Sequence, residues 1–168
     1  TDAPLYTDDG VLVTDELWRI YFTRDRHSVQ GGATPRVVQA EAPLAAGMPP
    51  PPGRVVRYLE LPHHGAVDEA LDAVAAAAAR AKVRCGGLTR DAVPTTEWLA
   101  AVLVGCAARD LVVKATAGLH QPYRGDGAAG PHHGFVNLLA AAAAARARRP
   151  VDEVAAVLAT EEADAGDL

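Results

Sequence analysis

The sequence predicts a mixed α/β fold, in which parallel strands alternate with helices and a small N-terminal β-hairpin precedes them. From residue 54 onward, short runs rich in valine and leucine alternate three times with longer, alanine-rich segments. That alternation is typical of parallel β/α units joined by right-handed crossovers. The chain has 168 residues, of which 49% are hydrophobic, so it is long enough to bury a core of its own.

The hairpin is expected within an N-terminal β element at residues 1–30. Two apolar runs, at residues 10–14 and 17–22, are separated only by a short polar break around Asp15. Strand-length runs with so short a break favour two antiparallel strands joined by a turn.

A proline- and glycine-rich segment follows at residues 31–53 and includes four consecutive prolines at residues 49–52. Proline fixes its own φ angle and cannot donate a backbone hydrogen bond, so we expect this segment to be an extended linker. The proline run could instead bind a partner as a polyproline helix. In either case the β/α domain is expected at residues 54–168.

The β/α domain contains clear helix and strand boundaries. Pro62 and Gly86 each end an apolar run, as expected at the end of a strand. Acidic residues such as Asp68 favour the start of a helix, and Thr95 can cap another. The expected strands are residues 55–61, 81–85 and 111–117. The expected helices are residues 66–80, 95–109, 133–149 and 151–162.

The overall composition narrows the class of protein. A net charge of -5 gives no reason to expect nucleic acid or an anionic membrane as a partner. No apolar run is long enough to span a bilayer, and the N-terminal residues do not resemble a signal peptide. The two cysteines lack a metal-binding or redox spacing and are expected to be reduced thiols. These features predict a cytoplasmic protein, and no motif for a cofactor is present.

Three cations fall inside the predicted parallel strands, where charged side chains are costly to bury. Lys82 and Arg84 are two residues apart and so share one face, and Lys114 lies in the next strand. Structural pairing with Glu60 is one interpretation, but we favour a binding pocket. Lys82 and Arg84 would hold a carboxylate or phosphate, with Thr116 beside them. Lys114, with a pKa lowered by desolvation beside other cations, would act as an electrophile or Schiff-base nucleophile.

Polar residues after the last predicted strand extend this set. His120 would move protons together with Glu60, and His133 is a further candidate for general acid–base catalysis. Arg124 and Asn137 are candidates for ligand binding. A metal site needs three or four converging ligands, and the histidines show no HxH or HExxH spacing. We therefore expect no bound metal.

Three motifs resemble those of a family of uncharacterised bacterial proteins. They are Lys-x-Arg-x-Gly-Gly at residues 82–87, Lys-Ala-Thr-Ala-Gly-Leu-His at residues 114–120 and His-Gly-Phe-x-Asn at residues 133–137. The resemblance covers residues 55–160 and implies part of a β/α barrel, but it implies no particular reaction. The candidate site residues that match the family pattern are Glu60, Lys82, Arg84, Lys114, Thr116, His120, His133 and Asn137. Three histidines are peculiar to this chain, namely His63, His64 and His132.

The chain departs from that family in what precedes the first matching strand. The family pattern is similar to the later half of a longer barrel-like protein, whereas residues 1–54 do not resemble the missing β/α units. Three such units cannot close an eight-stranded barrel. The resemblance therefore implies either that two chains pair or that the sheet remains open.

Two hypotheses about function follow, from different classes. The first is an enzyme that acts on a small anionic metabolite by lyase, aldolase or isomerase chemistry, with fixed cations stabilising a developing carbanion or enolate. The second is a non-catalytic ligand-binding or assembly subunit, which the proline segment and the incomplete barrel favour. A metal-dependent hydrolase is a third and weaker interpretation. We expect a homo-oligomer or a partner subunit, and neither nucleic acid nor a membrane as partner.

Overall fold

The fold combines a six-stranded sheet, a two-stranded sheet and four helices. The computed structural model describes residues 11–13, 19–23, 36–44, 55–87, 89, 92–127 and 130–161. The strands are β1 (Val11–Val13), β2 (Arg19–Thr23), β3 (Arg36–Pro43), β4 (Val56–Glu60), β5 (Arg80–Arg84), β6 (Val113–Thr116), β7 (Gly125–Gly127) and β8 (Gly130–His132). The helices are α1 (Val67–Ala76), α2 (Thr96–Ala108), α3 (Phe135–Arg146) and α4 (Val151–Ala159).

The large sheet has the strand order β1-β2-β3-β4-β5-β6. β1 pairs with β2 in antiparallel fashion, which confirms the predicted N-terminal hairpin. β2 and β3 are also antiparallel, whereas β3, β4, β5 and β6 are parallel to one another. The mixed α/β class is therefore confirmed, with four parallel strands interleaved with helices.

The expected linker at residues 31–53 needs a correction, because part of it is β3. This strand pairs along β4 from Gln39, opposite Val56, to Pro43, opposite Glu60. Only Val37 and Val38 in it are β-branched, and the residues that pair with β4 are glutamine, alanine, glutamate and proline, which are not enriched in strands, so the pattern of a strand is weak. The proline run at residues 49–52 lies outside the described residues.

The hydrophobic core lies between the helices and one face of the parallel strands. β4 contributes Leu59 and β5 contributes Ala81 and Val83, all of them buried. They meet fully buried leucines of the helices, including Leu71 of α1 and Leu99 of α2. α2 also packs against α3 and α4, so the helices form a continuous layer over this face. In the described part of the chain, none of the helices is long and apolar enough to cross a membrane.

The segment between β6 and α3 contains two further short strands. β7 and β8 form a small antiparallel hairpin of their own, with Gly125 opposite His132. Asn137, at the start of α3, is completely buried beside this hairpin. Its side-chain oxygen accepts a hydrogen bond from the backbone N–H of Arg124, and its amide donates to the carbonyls of Val157 and Thr160. Asn137 thus fastens the hairpin and the end of α4 to α3.

Candidate functional site

The opposite face of the parallel strands is polar, and we call it the polar face. Side chains alternate along a strand, so Leu59 of β4 and Ala81 and Val83 of β5 point toward the helices, and the residues between them point away. The register places Glu60 beside Lys82, and Lys82 beside Lys114. The polar side chains of this face are Gln39, Glu41, Tyr58, Glu60, Arg80, Lys82, Arg84, Lys114 and Thr116.

Five charged side chains of the polar face form one connected network. Lys82 Nζ lies 2.6 Å from Oε2 of Glu41 and 2.9 Å from Oε2 of Glu60. Lys114 Nζ donates to the other carboxylate oxygen of Glu41, and Arg84 Nε lies 3.4 Å from Oε1 of Glu60. Each carboxylate therefore bridges two cations: Glu41 links Lys82 of β5 to Lys114 of β6, and Glu60 links Lys82 to Arg84 within β5.

The centre of this network is buried and its rim is accessible. The side chains of Glu41 and Lys82 are 3% and 7% exposed, whereas those of Lys114 and Arg84 are 32% and 39% exposed. Glu60 is intermediate, at 25%. A molecule that approaches the polar face would therefore meet Arg84 and Lys114 first.

The pKa shifts of the central groups favour their charged forms. Burial opposes ionisation of Glu41, but hydrogen bonds from Lys114 and Lys82 outweigh it, so the pKa of Glu41 lies below its ordinary value. Burial also opposes the charge on Glu60, yet Lys82 and Arg84 lower its pKa overall. For Lys82, burial is outweighed by the hydrogen bonds to Glu41 and Glu60, and its pKa is raised. The two carboxylates that contact Lys82 therefore hold it in its charged form.

Tyr58 forms the floor of the site between two cations. Its ring is buried, with Lys114 Nζ 5.2 Å and Arg80 Cζ 5.7 Å from the ring centroid. Arg80 also donates a hydrogen bond of 3.2 Å to the Tyr58 hydroxyl. The electron-rich face of an aromatic ring attracts a cation, so this contact helps to hold Lys114 in place.

The ends of β5 and β6 are joined by an unusually close backbone contact. A methyl group placed on Gly118 would lie 2.7 Å from Cα of Gly86 and 2.8 Å from the carbonyl oxygen of Cys85. Gly118 has a φ of +73°, and the preceding Ala117 also has a positive φ of 61°. A left-handed alanine is strained, and such strain is often found beside functional sites. The close contact between Gly86 and Gly118 therefore sets the distance between the ends of β5 and β6 at the rim of the polar face.

The basic residues of the whole chain are distributed unevenly between lysine and arginine. The sequence contains 16 basic residues, and Lys82 and Lys114 are its only lysines. Both stand side by side in the network. An ammonium group is a compact charge that rotates to satisfy several acceptors, whereas guanidinium is a planar fork. Two lysines at these positions, in a chain that otherwise uses arginine, indicate that the network needs ammonium groups.

Two further candidates from the sequence lie near the rim of the polar face. Thr116 lies beside Arg84 in the register, and its hydroxyl donates to the carbonyl of Val83 at 3.3 Å. His120 is exposed and follows the strained turn at the end of β6.

His133, Asn137 and Arg124 are placed elsewhere. His133 is completely buried, and its Nε2 lies 2.8 Å from the carbonyl oxygen of Pro94, before α2. Burial is the main reason that the pKa of His133 lies below its ordinary value. Asn137 is occupied by three structural hydrogen bonds, and the backbone of Arg124 supplies one of them. The sequence grouped these residues with the cations, but none of their hydrogen bonds or ion pairs joins them to the network.

The remaining reactive side chains do not form a second centre. Both cysteines are buried free thiols, and burial raises the pKa of Cys85 to about 12 and that of Cys106 to about 11. A thiol with so high a pKa is a poor nucleophile. His63 packs edge-on against Trp98, with ring centroids 5.0 Å apart. Within the described ranges, no three His, Cys, Asp or Glu side chains are grouped so that they could hold a metal ion.

Glu41, Tyr58 and Arg80 are residues of the polar face that sequence reasoning missed. Glu41 lies in β3, inside the segment interpreted as a linker, and Tyr58 looked like an ordinary strand residue. Arg80 was expected at the end of a helix, but it begins β5. The flanking Ala40 and Ala42 are buried on the other face of β3, which only the packing of the folded chain reveals.

Comparisons with known proteins leave the site to be interpreted on its own chemistry. No family model matches the chain, and no curated protein or solved structure matches it either.

Proposed function

We propose that this protein is an enzyme that acts on a small anionic metabolite by lyase, aldolase or isomerase chemistry on the polar face. The observation that supports this most is the buried network in which Glu41 and Glu60 order the three cations Lys82, Arg84 and Lys114. Cations fixed in advance stabilise negative charge that develops in a reaction, because they need no reorganisation.

The proposed chemistry begins with removal of a proton from the carbon next to a carbonyl group. Glu60 or His120 accepts this proton, and the electron pair left behind moves onto the carbonyl oxygen to give an enolate. Lys114 and Arg84 stabilise the enolate oxygen. Return of a proton to a neighbouring carbon gives an isomer, whereas departure of a leaving group with its bonding electrons gives a lyase product.

We propose that Lys114 acts mainly as a charged electrophile. The carboxylate of Glu41 and the ring of Tyr58 both complement an ammonium group. A Schiff base requires a neutral amine, which would have to give its proton to Glu41, add to the carbonyl carbon and expel water. Borohydride treatment in the presence of oxo acids separates the two roles. A reduced adduct on Lys114 would show the Schiff base, and the presence of only two lysines makes its assignment by peptide mapping unambiguous.

The test of the proposal is Lys114→Met, assayed by exchange of solvent deuterium into a panel of oxo acids and sugar phosphates. Loss of one stabilising group should slow exchange about a hundredfold to a thousandfold. Arg149→Met, at an exposed pair with Glu153, is the control and should leave exchange unchanged. Equal exchange rates in wild type and Lys114→Met would remove Lys114 from the mechanism.

The second candidate function is that of a non-catalytic assembly subunit, which the open edge of the sheet favours. β6 pairs with β5 on one side, and among the described residues no strand pairs with its other side. A barrel, which the family resemblance implies, would require further strands there, from a second copy or from a partner. Light scattering distinguishes these cases. A mass of two chains, abolished by a proline in β6, would support completion by a second copy.

We also propose the cytoplasm as the location of the protein. Both cysteines are free thiols, and thiols persist in reducing compartments. The resemblance to the uncharacterised bacterial family likewise stays a proposal, carried by the three motifs alone.

A further inference from the structure

His133 joins the segment between β6 and α3 to the start of α2. We call residues 117–127 and 130–134 the β6–α3 segment. Its backbone is hydrogen-bonded to the first turn of α3. Among the residues that the structure describes, its only hydrogen bond to residues 92–109 is that between His133 Nε2 and the carbonyl oxygen of Pro94, at 2.8 Å. The ring that makes this bond is completely buried.

The neutral ring of His133 fits this position better than the charged ring. A carbonyl oxygen can only accept a hydrogen bond, so the proton of the neutral ring lies on Nε2 and is donated to Pro94. Nδ1 is buried and has no hydrogen-bond partner in the described part of the chain. Protonation of Nδ1 would therefore place a positive charge and an unpaired N–H in the interior, which is costly.

The groups around His133 add to that cost. Arg124 before β7, His132 in β8 and His63 after β4 each oppose a positive charge on the ring. None of the described carboxylates acts on the ring, and Glu97 in the first turn of α2 interacts with Arg124 instead. Neither α3 nor α4 contributes a group that acts on it. A charged His133 is consequently more stable in water than in the folded position.

From this geometry we infer that His133 is an acid-sensitive switch, which holds the β6–α3 segment against the start of α2 while neutral and releases it in mildly acidic solution. The release is local, so the core around α1 stays folded. Because the β6–α3 segment follows directly on β6, its release loosens the chain beside the rim of the polar face. The switch goes beyond the proposed function and requires no particular reaction at that face.

Amide hydrogen exchange of the full chain, measured between pH 7 and 5 and corrected for the intrinsic rate at each pH, tests the switch. The released state binds one more proton, at His133, so its population should rise by up to about tenfold for each pH unit below 6.5. The amides of Phe135 and Val136, which donate to carbonyls of the β6–α3 segment, should report this rise.

Two variants isolate the imidazole. His133→Gln keeps a donor for Pro94 but cannot be protonated, so it should abolish the rise in exchange. His64→Gln removes an exposed histidine and is the matched control, which should keep the rise. Arg124→Glu covers the case in which His133→Gln does not fold. It replaces a cation that acts on the ring by a carboxylate that would pair with the charged ring, so the rise should be smaller than in the wild type.

Low concentrations of urea separate local release from global unfolding, because global unfolding exposes much more surface and depends more steeply on urea. A rise at Phe135 and Val136 that depends only weakly on urea would support the switch. The same urea dependence as at the buried Leu71 of α1 would overturn it and leave only an effect of His133 on global stability. Exchange without a pH dependence, or an unaltered rise in folded His133→Gln or in Arg124→Glu, would overturn it as well.

Discussion

At the scale of single residues, Lys82 determines whether the polar face is stable. It contacts both Glu41 and Glu60, and only 7% of its side chain is exposed. Neither carboxylate has enough access to water to be hydrated fully once Lys82 is removed. Each buried charge of the network is thus stable in its position because the charges of its partners compensate it.

Lys82→Met should therefore lower the free energy of unfolding by about 3 kcal/mol, the lower end of the usual cost of breaking a buried ion pair, because Glu41 keeps Lys114 and Glu60 keeps Arg84. Urea unfolding at neutral pH measures it. Adding Glu41→Gln to Lys82→Met should recover part of the loss, because one of the two carboxylates that lost Lys82 is then neutral. Arg149→Gln, at an exposed pair, should change stability by less than about 1 kcal/mol. A small effect of Lys82→Met would mean that water reaches the network freely.

His133 makes the free energy of unfolding depend on pH in a range above the one in which Glu41 and Glu60 are protonated. Its pKa lies below the ordinary value of 6.5, mainly because of burial, with Arg124, His132 and His63 as further unfavourable charges. The unfolded chain consequently binds more protons at His133 than the folded one, so stability falls as pH drops below 6.5. Glu41 and Glu60 have lowered pKa values, so their protonation reduces the free energy of unfolding only when the pH falls below their ordinary pKa of 4.5.

Between pH 6.5 and 5, we thus expect His133 to reduce the free energy of unfolding by up to about 1.4 kcal/mol per pH unit. Urea unfolding across this range should show the slope in wild type and a weaker slope in His133→Gln, which can still donate to Pro94. Replacement of the exposed His64 by glutamine is the matched control and should keep the slope. The readout is the slope, so a uniform loss of stability in His133→Gln does not affect it. Identical slopes in the two variants would contradict the assignment.

At the scale of elements, the junction of β5 and β6 holds Arg84 and Lys114 at their spacing. Gly86 and Gly118 touch through their backbones, and each lies two residues after the last polar-face residue of its strand. Separating the ends of β5 and β6 would change the distance between the backbones that carry Arg84 and Lys114. The two glycines of the sequence motifs are therefore best explained by close packing of the backbone, which a side chain would prevent.

A comparison of Gly118→Ala with Gly65→Ala isolates that packing. Both glycines have left-handed φ angles, +73° and +82°, but a methyl group at Gly65 meets nothing within 4 Å. Each substitution incurs the conformational penalty, whereas only Gly118→Ala also forces the backbones apart. We expect it to be the more destabilising by about 1–3 kcal/mol in urea unfolding, and to slow deuterium exchange in the assay of the proposed function. Equal losses in the two variants would show that the contact can relax.

The sequence predicted those elements whose residues follow a simple period. Lys82, Arg84 and Lys114 could be assigned to one face because side chains alternate along strands and parallel strands align. Glu41 could not, since its strand is rich in alanine and lies between proline-containing segments. His133 was assigned to the site from its place before a helix, but local pattern does not reveal which way a loop residue faces. Its burial against Pro94 depends on how α2 and α3 pack.

At the scale of the whole molecule, β3 connects the N-terminal region to the site. It joins the antiparallel strands β1 and β2 to the parallel strands, and it supplies Glu41 to the centre of the network. The division expected from the sequence, with an independent unit at residues 54–168, removes both the strand and the carboxylate. The ammonium groups of Lys82 and Lys114, side by side in the register, would then lose the acid that they share.

Shortened chains test this dependence directly. A chain of residues 36–168 keeps β3 and should retain the network, whereas one of residues 54–168 exposes the edge of β4 and brings two cations together without Glu41. We expect the shorter chain to be clearly less stable in urea and to catalyse deuterium exchange poorly. Glu41→Gln in the full chain removes the charge but keeps the strand. The stability that this variant loses therefore measures how much of the loss in the shorter chain is due to the charge of Glu41. If the two shortened chains were equally stable, residues 36–53 would be a linker after all, and the site would not need Glu41.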